Sequence, residues 1–410
     1  MNASCKLLAI IFVGCTSVPA QVMPASTGSG GLPVTGYLHY AIRYGQSAEL
    51  GSKYGDWQTS CSSASLSYSN GNQRLPFNMT YIGGYTSTIS GPPESTGAFQ
   101  HLSLSQIGAW RKWVMMVSDD VSYRPQSPTT GFSGIPGIGE PIGVFGPYPP
   151  SSQTILTLKT PVVDNSANGE IRHILGHGTF FSAGGSSELL RYLDGNGFNT
   201  NTQMANAWVT WRVNARNSLT SEYLFSHFSY PDYGISFQTN SAMFGFTRQW
   251  NRKLSTDVSA GPQWTGNSNS SEVPSSIGTA ANAALDYHFK LVSVNLIYSR
   301  GTNGGAGYLF GSRSDNVSAG ISKGFGNNLT VGLEGSYLRT AGLIGNGVID
   351  AKYGGVQASR RVGRYLSVFA NYTAMDQSSS SALPANTLSQ LMYVVGFGIE
   401  LSARVTHIKR

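Results

Sequence analysis

His173 and His177 stand at i and i+4, a spacing that lets a helix offer both imidazoles to one metal ion. Gly176 and Gly178 flank the second histidine and argue against a helix. On a strand the same spacing sets the two side chains ~13 Å apart, at a rise of ~3.3 Å per residue, too far for one ion. Gly320-Ile321-Ser322-Lys323-Gly324 fits the G-x-S-x-G pattern. A nucleophile needs that pattern on a sharp strand-to-helix turn, whereas here it runs along an alternating strand ahead of a hairpin. Gly134-Ile135-Pro136-Gly137-Ile138-Gly139 is glycine-rich, but a proline interrupts it and no helix follows to present amides to a phosphate. Neither a catalytic residue, a metal site nor a bound cofactor is expected. Asn78 and Asn371 open glycosylation sequons that read as chance matches.

The remaining chemistry is charge on alternating segments. Arg43, Arg212, Asp286, Glu334 and Glu400 each fall on the polar face of their segment. Arg248, Lys323 and Arg360 fall on apolar faces, each within a few residues of a short turn. From there a long side chain reaches headgroup level. Trp211, Trp250, Phe289 and Phe325 collect at that same level, and Tyr298, Tyr337 and Tyr372 lie towards the opposite ends of their segments. Two aromatic girdles follow.

The segment Asn316 to Tyr337 shows what positions these groups. Leu329, Val331, Leu333 and Tyr337 fall on one face of the second arm, against Thr330, Gly332, Glu334 and Ser336. The first arm sets Val317, Ala319 and Ile321 against Ser318, Gly320 and Ser322, and Gly326-Asn327-Asn328 forms the turn between them. A soluble sandwich fills its core with large apolar residues. Here the apolar face carries many Ala, Gly and Val with Tyr at the end, the pattern of a strand with lipid outside and a polar interior. His173 and His177 are then expected to point into that interior or a loop mouth.

Bulk composition agrees. Charged residues make up only 11% of the chain, with 50 Gly and 21 Tyr, well below the usual charged share of a soluble domain. The net charge of +7 forms no basic cluster, so nucleic acid is not an expected partner. Met1 to Ala20 reads as an export signal: Lys6, an apolar core Leu7 to Gly14, and cleavage near Val18-Pro19-Ala20. Phe12-Val13-Gly14-Cys15 is a weaker lipoprotein alternative. Cys5 and Cys15 leave with the signal, so Cys61 stands alone without a disulfide framework. No segment approaches ~20 continuous apolar residues, so no transmembrane helix is expected.

Taken in order, Gln21 to Thr35 is a flexible lead-in, and strands follow near Leu38–Tyr44, Trp57–Tyr68, Phe77–Tyr81, Phe99–Ile107 and Trp113–Tyr123. Alternation then stops from Pro125 to Asn168, and a connection of that length is usually functional. Beyond Glu170, short turns are expected near Gly184, Ala215, Arg252, Lys290, Asn327 and Gly363, with longer polar loops between them. Short connections on one side and long ones on the other predict an all-β, transmembrane, antiparallel barrel over residues 36–401 with about 18 strands. Its turns would be periplasmic and its loops external. Residues 402–410 form a basic tail.

On these residues the chain resembles a bacterial outer-membrane β-barrel channel of the porin-like type. The resemblance implies that the third external loop, 125–168, narrows the lumen with Gly131 to Pro150. Constrictions of that kind usually oppose acids to arginines, but here Glu140 is the only charge before Lys159. The lumen charges would then be Arg43, Glu140, Arg212, Asp286, Glu334 and Glu400. Tyr393 to Leu401 resembles the terminal strand read by barrel-assembly machinery. The expected function is passive diffusion of small polar solutes across the outer membrane of a Gram-negative-type bacterium, with outer-membrane lipid and the assembly machinery as partners. The alternatives are export of a polysaccharide, for which the inward aromatics Trp208 and Tyr353 are too few to form a track, or a structural or adhesive surface barrel.

Overall fold

The computed structural model describes residues 37–51, 56–70, 75–90, 96–124, 161–176, 178–193, 197–267, 273–305, 309–326, 328–345, 347–380 and 390–405. The export signal, the lead-in, Glu140, the glycine-rich 134–139, His177 and the last five residues lie outside them.

The described residues form eighteen strands: β1 Tyr37–Leu50, β2 Trp57–Ser69, β3 Phe77–Ser90, β4 Gly97–Ala109, β5 Trp113–Arg124, β6 Val162–Gly176, β7 Thr179–Tyr192, β8 Thr200–Arg212, β9 Asn217–Tyr230, β10 Ile235–Gln249, β11 Leu254–Asn267, β12 Ser276–Phe289, β13 Val292–Asn303, β14 Ser312–Phe325, β15 Leu329–Gly342, β16 Val348–Val362, β17 Leu366–Ser379 and β18 Gln390–Val405. Each strand pairs antiparallel with the next, and β1 pairs with β18, so the 18-stranded sheet closes on itself. Closure leaves no unpaired edge. Among the described residues no helix is long and apolar enough to cross a membrane.

Exposure decides which face is which. In the β14–β15 hairpin, Val317 opposes Tyr337 and Ile321 opposes Leu333, and these side chains remain 40%, 38%, 41% and 48% exposed. Their neighbours Asn316, Gly320 and Gly332 are buried. The same inversion runs round the sheet: Phe244 and Ile277 are exposed while Thr239, Ser241 and Gln263 are buried. A water-soluble fold would place the large apolar groups inside. In a closed sheet the exposed face is the outer one, so the outer face is apolar and the inner face polar.

Short turns join β6–β7, β8–β9, β10–β11, β12–β13, β14–β15 and β16–β17 at one end of the barrel. Gly178, Gly326 and Gly363 hold positive φ there, and Lys290 does so at φ 51°. The expected turn at Gly184 is not found there: β6 ends at Gly176, β7 begins at Thr179, and Gly184 lies within β7. A Cβ at Gly184 would sit 2.8 Å from the Gly169 carbonyl oxygen and 3.0 Å from Asn206 Oδ1, so this glycine serves a close approach rather than a turn. Strand β6 begins at Val162, inside the connection expected to run to Asn168, and β18 continues to Val405, past the expected end at Leu401.

At the long-loop end the interior carries an apolar cluster. Phe228, Tyr230, Ile235, Phe237 and Val273 are buried together, with Phe198, Phe310, Leu343 and Ile344 packed against them. Phe198 stacks on Phe310 at 4.1 Å. The Tyr230 hydroxyl donates to the Gly304 carbonyl at 2.9 Å and accepts from the Gly311 amide at 2.6 Å. The connections after β7, β9, β11, β13 and β15 are thus drawn together on one side of the mouth.

Candidate functional site: the inward wall

Strand register fixes which charges face inward, because residues directly opposed across two strands share a face. Arg43 opposes Glu400 across the β1–β18 closure, and its guanidinium Nε donates to Glu400 Oε2. The flanking pair, Ile42 and Leu401, points outward at 61% and 51% exposure. Glu334 opposes Gly355 on the inner face and accepts the Tyr353 hydroxyl. Asp286 opposes Ser255 and Asn295, also inward, with His288 two residues along and electrostatically favourable to it. Arg212 has inward register but sits at the short-turn end, exposed, with Nε donating to the Asn214 carbonyl at 3.3 Å. It is a residue of the mouth, not of the middle wall.

Sequence reasoning missed much of the wall. Glu170 and Arg172 on β6 face inward as an ion pair at 2.9 Å. Glu222 on β9 opposes Trp208, and its carboxylate is held by Asn206. Asp257 on β11 opposes Thr247, whose hydroxyl donates to it. The signal was present, since Glu170 adjoins outward Ile171, Glu222 adjoins outward Tyr223 and Asp257 adjoins outward Val258. Alternation assigns each acid to the inner face once its apolar neighbour is assigned to the outer.

The aromatics lie on the outer face. Trp211, Trp250 and Phe325 are exposed near the short turns and Phe289 is half-buried. Cations lie over these rings: Arg248 at 4.0 Å from the Trp250 centroid, Lys253 at 3.9 Å from Phe289 and Lys323 at 4.9 Å from Phe325. At the long-loop end Tyr298 donates to Asp315 at 2.9 Å and Tyr337 to Asp350 at 2.7 Å. Tyr372 stacks with Tyr393 at 6.4 Å. Arg300–Asp315, Arg339–Asp350 and Lys352–Asp376 form outward ion pairs at this level.

His173 departs from expectation. It shares the outer face with Trp113, ring centroids 4.2 Å apart, and does not point into the interior. Ser322 sits on an extended strand, so no nucleophile elbow forms. Among the described residues no group of three or more His, Cys, Asp or Glu is placed to hold a metal ion.

This architecture is similar to the crystal structure of Pseudomonas aeruginosa OccK2 (OpdF), with a TM-score of 0.50, 11% sequence identity, and coverage of 91% of this chain and 98% of that one. The fold is that of a porin-like outer-membrane barrel. Acinetobacter baumannii OccAB3 is also similar, at TM-score 0.48 and 9% identity over 90% of this chain and 99% of that one. OccK2 (OpdF) in complex with glucuronate aligns at TM-score 0.47 and 11% identity over 90% and 98%. No family model matches the sequence, and no curated protein matches it. What distinguishes this porin-like barrel is therefore read from its own wall.

Proposed function

We propose that the protein is an outer-membrane channel through which small polar solutes diffuse passively. The observation that carries this reading is the inverted exposure of a closed barrel: apolar side chains outward, polar and charged ones inward. Acyl chains satisfy the outer face and water fills the inner. Met1 to Ala20 directs export, 21–35 forms the lead-in, the short turns face the periplasm, and assembly machinery reads the last strand. Trp211, Trp250, Phe289 and Phe325 form the inner girdle and Tyr298, Tyr337 and Tyr372 the outer one. Arg43, Arg212, Asp286, Glu334 and Glu400 line the path.

The connection that begins at Pro125 is the third external loop in this arrangement, and Gly131 to Pro150, with Glu140, narrows the lumen. Its length and near-neutral composition support selection by size there. Polysaccharide export would need a file of inward aromatic platforms. Trp208 and Tyr353 are inward, but Phe228, Tyr230 and Phe237 are packed away in the mouth cluster.

The test is conductance of the purified, detergent-extracted barrel in a planar lipid bilayer, with heat-modifiable gel mobility as the check on folding. Discrete conductance steps are expected, larger after deletion of Gly131 to Pro150. A folded barrel that stays sealed with and without that segment overturns the channel reading.

A further inference from the structure

The wall sorts charge by sign. Strands β9, β11 and β12 contain no Lys or Arg at all. They present Glu222, Asp257 and Asp286 inward, and β15 adds Glu334. Uncharged groups hold three of these: Asn206 holds Glu222, Thr247 holds Asp257 and Tyr353 holds Glu334. Asp257 is near enough to both Glu222 and Asp286 for the charges to repel. Most cations on the neighbouring strands point the other way; Arg212 and Arg361 keep inward register but lie exposed at the short-turn end. Arg248, Lys323 and Arg360 take outward register by the short turns, and Arg300, Arg339 and Lys352 pair with outward aspartates. The inward arginines of the middle wall, Arg43 and Arg172, are each matched by a carboxylate, Glu400 and Glu170.

On the channel reading proposed above, we infer that the lumen prefers cations, so that its solutes are small and positively charged, such as amines. Glu222, Asp257, Asp286 and Glu334 set the sign. The connection 125–160 does not alter this, because Glu140 and Lys159 are its charges and they cancel.

One field opposes the inference. Arg111, Lys112, Arg216, Arg252, Lys253 and Arg364 form a basic collar on and beside the short turns, and all are exposed. Charges in open water are screened beyond ~8 Å at physiological salt. Carboxylates on the wall of a confined lumen act on an ion at close quarters, where low-dielectric walls focus their field. The wall therefore outweighs the collar.

The experiment is the reversal potential of the full-length barrel in a planar bilayer under a KCl gradient. Potassium permeability is expected to exceed chloride permeability. Raising salt from ~0.1 M to ~1 M shortens the screening length from ~10 Å to ~3 Å and should move the ratio towards unity without reversing it. Neutralising the wall as Glu222→Gln, Asp257→Asn, Asp286→Asn and Glu334→Gln should bring the ratio to about unity or below. Neutralising Arg252, Lys253 and Arg364 to Gln should leave the sign unchanged. If the quadruple variant does not fold, Asp257→Asn alone should lower the ratio in the same direction. Current with chloride preferred overturns the inference and leaves the channel standing. Potassium preference that survives the wall variants overturns the residue assignment. A folded barrel with no current removes the channel, and this inference with it.

Discussion

The Tyr353 hydroxyl reaches Glu334 Oε1 across the β15–β16 pair because Gly355, directly opposite Glu334, leaves the space empty. A Cβ at Gly355 would lie 2.6 Å from the Tyr353 oxygen and 3.3 Å from Glu334 Oε1. Sequence placed Glu334 and Tyr353 on the same inner face but did not show that they touch. Tyr353→Phe removes a hydrogen bond to a carboxylate, a loss of ~1.5–3 kcal/mol. Gly355→Ala should act in the same direction by pushing the ring aside. Urea unfolding of the barrel from lipid vesicles measures both, and an unshifted midpoint for Tyr353→Phe would show that the contact does not hold the wall.

Arg43 and Glu400 secure the closure between the first and last strands. Arg43 is 8% exposed, so Arg43→Ala strands a carboxylate with little water around it. Breaking such a pair costs ~3–5 kcal/mol, and the lower end applies because Glu400 keeps part of its exposure. The expected result is a lower temperature for the heat-induced gel shift. The exchange of Arg43→Glu with Glu400→Arg should restore much of the loss, whereas Arg43→Glu alone should not.

Lipid contact has a depth signature. Leu296 lies mid-strand on the outer face of β13 and is 45% exposed, while Ile277 lies at the start of β12 and is 75% exposed. Leu296→Arg should destabilise insertion by ~2–4 kcal/mol and Ile277→Arg by ~0–1 kcal/mol. Equal costs, or no cost at either site, would mean that this face does not meet acyl chains. Folding from urea into vesicles reads the difference.

The mouth cluster rests on Tyr230, whose hydroxyl serves both the Gly304 carbonyl and the Gly311 amide. Tyr230→Phe keeps the ring packing and orphans both backbone groups, a cost of ~1–3 kcal/mol for each left dry. Faster hydrogen exchange at Gly311 is expected, with little change in the strands of the opposite arc. Unchanged exchange there would show that water replaces the hydroxyl without cost.

The barrel was legible because its signal is local and repeated. Val317, Ile321, Leu333 and Tyr337 announce the outer face within one hairpin, and that rule assigns Arg43, Asp286, Glu334 and Glu400 to the inner one. What escaped notice depends on contacts between distant segments. Phe198 and Phe310 sit in separate connections, and nothing near either predicts that the two rings stack. Gly184 reads as a turn because glycine permits one, yet the space it leaves is needed by the Gly169 carbonyl on the partner strand. The acids Glu222 and Asp257 were within reach of alternation. Each is the only acid on its strand, and on β9 the inner face also carries Leu224, Phe228 and Tyr230, which blurs the alternation.

The partner of Arg43 is 357 positions away along the chain. A ribosome completes the first strand long before it makes the last, so β1 must wait with one edge bare through almost the whole of synthesis. No partial product can be circular. A chain halted before β18 would carry two open borders able to recruit any passing strand. Closure of β1 on β18 therefore cannot precede synthesis of the last strand.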